Sequence, residues 1–313
     1  MFKFILRRLL SGVVLLFIIS TIAYGLLYVG GGDIARRILG QSATADTVAQ
    51  KAEALGLNRP LPVQYIDWLS HALTGDLGSS WFTGQLVTVG ISSRLGVTLS
   101  LVIGATLLTA IVAVVLGVWA AVRRGWADRL VQTISILGFA IPGFLIALGL
   151  VTLFALNLKW FKPTGYVSLT ESPTGWLATV TLPIIALAIG GIAGVAAQVR
   201  GSLVDALRQD YVRTLRSRGL SYNRVVFKHV LRNAGGPALA VLAVQFVGLL
   251  GGAVIVEQIF AIPGLGQVAV TATTQGDIPM VMGLVVATAA LVVIVNLLID
   301  LLQGWLNPKV RLA

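Results

Sequence analysis

Six stretches of the chain are apolar for about the thickness of a bilayer and carry no ionisable side chain. They cover residues 9–29, 97–122, 131–156, 179–199, 237–256 and 281–299, and none contains Asp, Glu, Lys, Arg or His. A hydrocarbon core about 30 Å thick needs roughly 20 such residues in helical form. In lipid a backbone must satisfy its own hydrogen bonds, which leaves helices as the solution for runs of this length. The whole chain of 313 residues is 57% hydrophobic and 11% charged. A soluble domain usually devotes about a quarter of its residues to charge, so a water-covered surface is excluded. The expected architecture is an all-α membrane protein of about six transmembrane helices.

The charges between the runs set direction, because Lys and Arg stay on the cytoplasmic side. The amino terminus has Lys3, Arg7 and Arg8, the second connection Arg123, Arg124 and Arg129 against Asp128, and the carboxyl end Lys309 and Arg311. The fourth connection is the most basic, with Arg200, Arg208, Arg213, Arg216, Arg218, Arg224, Lys228 and Arg232 against Asp205 and Asp210. In the segment 30–96 basic and acidic residues cancel. Both termini are therefore expected in the cytoplasm. The net charge of +11 is what topology requires, and no aromatic stacking pattern accompanies it, so no nucleic-acid partner is expected. The first run is too long for a cleaved signal peptide, for which about 7–15 apolar residues are usual, and reads as a retained helix.

One membrane domain over 1–313 is expected, with an external subdomain at 30–96 and a cytoplasmic loop at 200–235. The external segment opens on Gly30-Gly31-Gly32-Asp33, has a helical stretch near 47–55, and carries Tyr65, Trp68, Trp81 and Phe82, read as packing and interfacial groups. Gly190-x-x-x-Gly194 and Gly248-x-x-x-Gly252 are expected to let helices approach closely. Pro142 and Pro183 are expected to kink or loosen the third and fourth spans.

Several chemistries lack their residues. There is no cysteine, no H-E-x-x-H, no G-x-S-x-G, and only His71 and His229, expected on opposite sides of the membrane. No catalytic residue and no metal ligand is assigned. A G-x-x-x-x-G-K-[ST] phosphate loop is absent too, so an energy source must come from another subunit. The polar groups at membrane depth are amides and hydroxyls such as Gln245 and Asn296, candidates for a path or gate. An ion-coupled carrier usually places ionisable residues there; a secondary transporter working alone is thus the weaker alternative. Glu257, at the outer end of the fifth span, either faces an external partner or caps local backbone groups.

The basic loop carries more pattern than topology demands. Leu203, Leu207, Tyr211 and Leu215 recur at i, i+4, predicting one amphipathic helix over 202–218. Gly219 follows where a left-handed cap belongs, Ser221 is placed to cap a second helix through Val225, Val226, His229 and Val230, and Pro237 marks the start of the fifth span. Such a helical hairpin suits docking into a partner's groove, in preference to simple contact with anionic lipid.

At this loop the sequence resembles a known family. Asp210-Tyr211-Val212-Arg213-Thr214-Leu215-Arg216-Ser217-Arg218-Gly219-Leu220, then His229-x-Leu231-Arg232-Asn233-Ala234, is similar to the cytoplasmic "EAA" loop of dipeptide/oligopeptide ABC importer permeases. The likeness continues in Phe4-x-Leu6-Arg7-Arg8-Leu9, Leu55-Gly56-Leu57-Asn58-Arg59-Pro60-Leu61-Pro62-Val63-Gln64-Tyr65, Gly75-Asp76-Leu77-Gly78-Ser79-Ser80, Glu257-x-Ile259-Phe260-x-Ile262-Pro263-Gly264-Leu265-Gly266 and Asn296-Leu297-Leu298-Ile299-Asp300. It departs at Leu215 and Ser217, where the family often has Ala, and at Asn307-Pro308-Lys309, where Asp-Pro-Arg is usual.

The resemblance implies the type I ABC importer permease fold in a bacterial inner membrane, and the large external loop looks like that of the first permease of the pair. It implies a second homologous permease, two cytoplasmic ABC ATPases that bind ATP and Mg, and an extracytoplasmic binding protein, with no cofactor on this chain. Asp210, Tyr211, Val212, Arg213, Thr214, Arg216, Arg218 and Gly219, with His229, Arg232 and Asn233, then form the ATPase-coupling loop, whose helices would move as a rigid body. Relatives handle peptides, nickel, glutathione or other small solutes.

Overall fold

The computed structural model describes residues 2–30, 34–123 and 125–306. Gly31, Gly32 and Asp33, Arg124, and the ending with Asn307-Pro308-Lys309 and Arg311 lie outside the described residues, as does the side chain of Lys3. In chain order the helices are α1 (Phe2–Gly30), α2 (Ile34–Leu39), α3 (Ala45–Ala54), α4 (Leu61–Leu73), α5 (Val87–Arg123), α6 (Trp126–Ala140), α7 (Gly143–Leu150), α8 (Pro173–Leu207), α9 (Asp210–Ser217), α10 (Tyr222–Arg224), α11 (Leu231–Ile259), α12 (Leu265–Gln275) and α13 (Ile278–Leu306). Wider π-helical turns occupy Val151–Asn157 and Val225–Val230.

Among the described residues, five continuous helical stretches are long and apolar enough to cross a membrane: Ile5–Tyr28, Val87–Arg123, Pro173–Leu207, Tyr222–Ile259 and Ile278–Gly304. The third predicted span departs from a simple rod. Trp126–Gly138 and Gly143–Asn157 are bent by 95° against each other. Pro142 disfavours helical backbone at the residue before it, and Ile141 is extended at φ −91°, ψ 118°. Pro183, by contrast, lies buried inside an unbroken α8.

The chain forms two compact units. One comprises Met1–Phe4, Val97–Ile262 and Ile294–Ala313; the other comprises Ile5–Gly96 and Pro263–Val293.

In the first unit α8 packs against α11, α6 and α7. Helices meet closely where side chains are missing: a Cβ on Gly191 would lie 2.9 Å from Gln245 Nε2. Of the predicted small-residue motifs, a Cβ on Gly190 or Gly248 would meet nothing within 4 Å, whereas one on Gly252 would lie 3.5 Å from Leu187 Cδ2 of α8. On α8 the tightest approach is thus at Gly191, one residue along from Gly190, and on α11 the motif's Gly252 faces α8.

In the second unit the external aromatics pack, as expected. Tyr65 and Trp68 stack at 6.1 Å between centroids, Tyr65 Oη is 2.8 Å from Ser20 Oγ, and Trp81 packs on the same cluster around Tyr24 and Met282. Asp277 is buried. It accepts bonds from Ser80 Oγ and from the Trp81 amide at 3.2 Å, tying the Gly75–Ser80 motif to the start of α13. Gly283 of α13 lies so close to α5 that a Cβ there would sit 2.2 Å from Val87 Cγ1.

Candidate coupling site on the cytoplasmic loop

The loop is built differently from the single helix predicted over 202–218. α8 carries the fourth span through to Leu207, the backbone turns extended at Gln209 (φ −71°, ψ 148°), and α9 begins at Asp210. Helical geometry accounts for the break. At about 100° per residue, Val212 would point to the opposite side from Leu203 on one continuous helix. With the break both are buried, at 4% and 0% exposure.

Val212 and Leu203 belong to one apolar cluster with Val199, Val225, Val226 and Val230, against which Tyr211, Leu215 and Leu220 also pack. The apolar stripe was expected to face a partner. It instead fastens α9 to its own membrane unit. What α9 presents outward is polar: Asp210, Arg213, Thr214, Arg216, Ser217 and Arg218 are exposed. Arg213 Nη1 sits 3.8 Å from Asp210 Oδ1, and the Arg216 guanidinium lies 5.8 Å from the Tyr222 ring centroid. The enclosed Tyr211 hydroxyl has no hydrogen-bond partner among the described residues.

Gly219 takes the expected left-handed conformation, φ +83°, and its N–H donates to Arg216 O at 3.0 Å. A Cβ there would meet nothing within 4 Å, so the requirement for glycine is conformational. Two further expectations change. Ser221 precedes α10 but makes no side-chain capping bond. Pro237 does not begin the fifth span, for it lies inside α11, and the helical stretch runs unbroken from Tyr222 to Ile259. Both arms of the loop are therefore ends of spanning helices.

His229 is half-buried in the π-helical turn, and Arg232 and Asn233 are exposed at the start of α11. Arg232 also lines an apolar cavity of about 330 Å³ with Val199, Leu231 and Leu242. A contact that sequence reasoning missed braces the same end of the unit. Arg200 grips Asp128 with Nε on Oδ1 at 2.5 Å and Nη2 on Oδ2 at 2.6 Å, tying α6 to α8. In the sequence both are simply loop charges, and a separation of 72 residues gives no local signal.

The three path candidates do not converge. Gln245 and Glu257 are twelve residues apart on α11, about 18 Å along a helix. Gln245 is half-buried against Gly191 and Thr109, and Asn296 is half-buried on α13. Glu257 is fully buried; Thr98 Oγ1 donates to its Oε1 at 2.6 Å. Buried at this depth, its carboxylate does not face an external partner. Beyond it, Ile262 N–H returns to Glu257 O at 2.8 Å and Gly165 N–H donates to Phe260 O at 3.0 Å, fixing the Glu257–Ile262 part of the motif.

Residues 113–312 match the binding-protein-dependent transport system inner membrane component family, and residues 1–102 match the amino-terminal domain of the same membrane components. The chain belongs to this family. It is a permease subunit of an ABC importer, a multi-pass protein of the inner membrane. It is 38% identical over 309 residues to a "Probable peptide ABC transporter permease protein" of Sinorhizobium fredii, covering 98% of this chain and 99% of that one. It is 34% identical over 312 residues to a glutathione transport system permease protein of Salmonella typhimurium, covering 99% of both. Among solved structures it resembles a chain of the MetNI methionine ABC transporter in inward-facing conformations, with TM-score 0.54 and 17% identity, over 68% of this chain and 94% of that one. That likeness shows the fold. Family membership decides for the importer subunit over the ion-coupled carrier.

Proposed function

We propose that this permease is the first of two that together form the path for di- and oligopeptides, delivered by an extracytoplasmic binding protein and driven by two cytoplasmic ATPases. The observation that carries the peptide reading is the full-length similarity to a peptide permease. α9 is the seat of the ATPases: its apolar side is spent on its own membrane unit, which leaves an arginine-rich face for a partner with acidic groups. ATP and Mg are held by those partners. Because α8 and the Tyr222–Ile259 stretch run directly from loop to membrane, a push on α9 is transmitted to two spans as rigid levers.

The test is reconstitution of the permease pair, the ATPases and the binding protein in proteoliposomes. ATP-dependent uptake of labelled di- to pentapeptides is expected. Ion-gradient uptake by this chain alone, with none from the ATP-driven complex, would refute the proposal.

A further inference from the structure

The second unit holds a cavity of about 280 Å³ on the external side of the chain, with an apolar wall of Pro263, Val268, Ala272 and Met280, a set of polar groups, and one cation. Arg94 stands at the outer end of α5, just before the apolar run, and is half-buried. Its Nη1 donates to Gly90 O of its own helix at 3.1 Å, and it makes no ion pair with any described residue. A guanidinium offers five donors. A partly desolvated cation without an acid is costly to keep, unless an anion arrives to use it. Around it the cavity is lined by Thr83, Gln85, Gln267, Thr271 and Gln275, which are amide and hydroxyl groups suited to a carboxylate and the peptide unit beside it. Asp277 also lines the cavity, but its carboxylate is already engaged by Ser80 Oγ and the amides of Trp81 and Met280.

We infer that Arg94 and these amide and hydroxyl groups form an extracytoplasmic site for the free carboxylate end of a short peptide. The inference rests on the peptide reading above and adds where, and by which group, such a substrate is met outside the membrane. The volume decides the occupant. Small-ligand pockets run roughly 300–1,000 Å³, so this one accommodates a terminal fragment rather than a whole oligopeptide. Arg suits the task because its planar fork matches a carboxylate bidentately.

The test uses the assembled transporter with its binding protein in proteoliposomes. Uptake of one peptide with a free carboxyl terminus is compared with its C-terminal amide, for wild type, Arg94→Gln and Arg94→Lys. Dividing the acid-to-amide ratio of each variant by that of wild type cancels the binding protein's own preference. Loss of a charge-assisted bond predicts that Arg94→Gln raises the KM of the free acid roughly tenfold or more relative to the amide, with partial recovery in Arg94→Lys. An unchanged ratio in Arg94→Gln overturns the site. So does an equal loss of both peptides, which marks a structural role. Weakened docking of the peptide-free binding protein at unchanged ratio overturns it in favour of an acidic group on that partner. A wild-type complex that moves neither peptide with ATP refutes the peptide reading itself, a result separate from any behaviour of Arg94.

Discussion

Replacing Asp128 with Asn should loosen the cytoplasmic ends of α6 and α8. The substitution keeps the size of the side chain and removes its charge from a bidentate grip at 2.5 and 2.6 Å. The side chains of Arg200 and Asp128 are 29% and 19% exposed, which places the pair between two regimes. Fully exposed pairs contribute about 0.2–1 kcal/mol, and hydrogen bonds to charged groups about 1.5–3 kcal/mol. An intermediate figure of about 2 kcal/mol corresponds to roughly 30-fold in a local opening equilibrium. Global unfolding of a multi-span protein is a poor gauge, so the assay is hydrogen exchange at the α6 and α8 ends in the detergent-purified complex. Asp128→Asn should speed exchange there about 30-fold. A cycle with Arg200→Gln should give a coupling energy near 2 kcal/mol, shrinking at high salt. Additive single effects, or unchanged exchange, would refute the clamp.

Other perturbations follow the same logic. Val212→Asn places an unpaired amide in the cluster around Leu203 and should cost about 1–3 kcal/mol; ATPase co-purification and uptake should fall while membrane insertion persists. Gly283→Ala should destabilise the second unit by about 1–3 kcal/mol, read as lower thermal stability, and Val87→Ala should recover much of it by removing the clashing methyl. Thr98→Val leaves the buried Glu257 carboxylate short of a donor and should cost about 2 kcal/mol, whereas Thr98→Ser should be nearly silent in the same thermal assay. Gly219→Val should uncouple ATP hydrolysis from uptake through backbone strain of about 1–2 kcal/mol, since the space for its side chain is open; wild-type uptake in that variant would count against the cap.

Much of this fold is legible from local pattern. The spans follow from uninterrupted apolar length, the left-handed Gly219 from its place after a helical stripe, and the sharp bend at residues 138–143 from Pro142. What local pattern cannot carry is long-range partnership. The i, i+4 series through Leu203 and Leu215 reads as one helix because spacing alone does not show that Val212, out of phase with it, also seeks the core. The same blindness made the stripe look like a docking face. Glu257 at the end of an apolar run reads equally as an external group or a backbone cap, and no local signal shows that it is buried beside Thr98, 159 residues away. Arg94 reads as one of the cancelling charges of the external segment, and only the structure shows that no described acid forms an ion pair with it, Asp277 in the same cavity being held by Ser80 and backbone amides.

The proposed mechanism stands on α9 presenting its polar face to the ATPases. The chain has no cysteine, so one introduced thiol reports one place. Ser217→Cys lies on the exposed face of α9, and Ser70→Cys is an exposed position on the external α4. With a short thiol-to-amine crosslinker on the assembled complex, Ser217→Cys should join this chain to an ATPase subunit, with a yield that changes on adding ATP and Mg, while Ser70→Cys should not. An ATPase adduct from position 70, or none from position 217, would contradict the account.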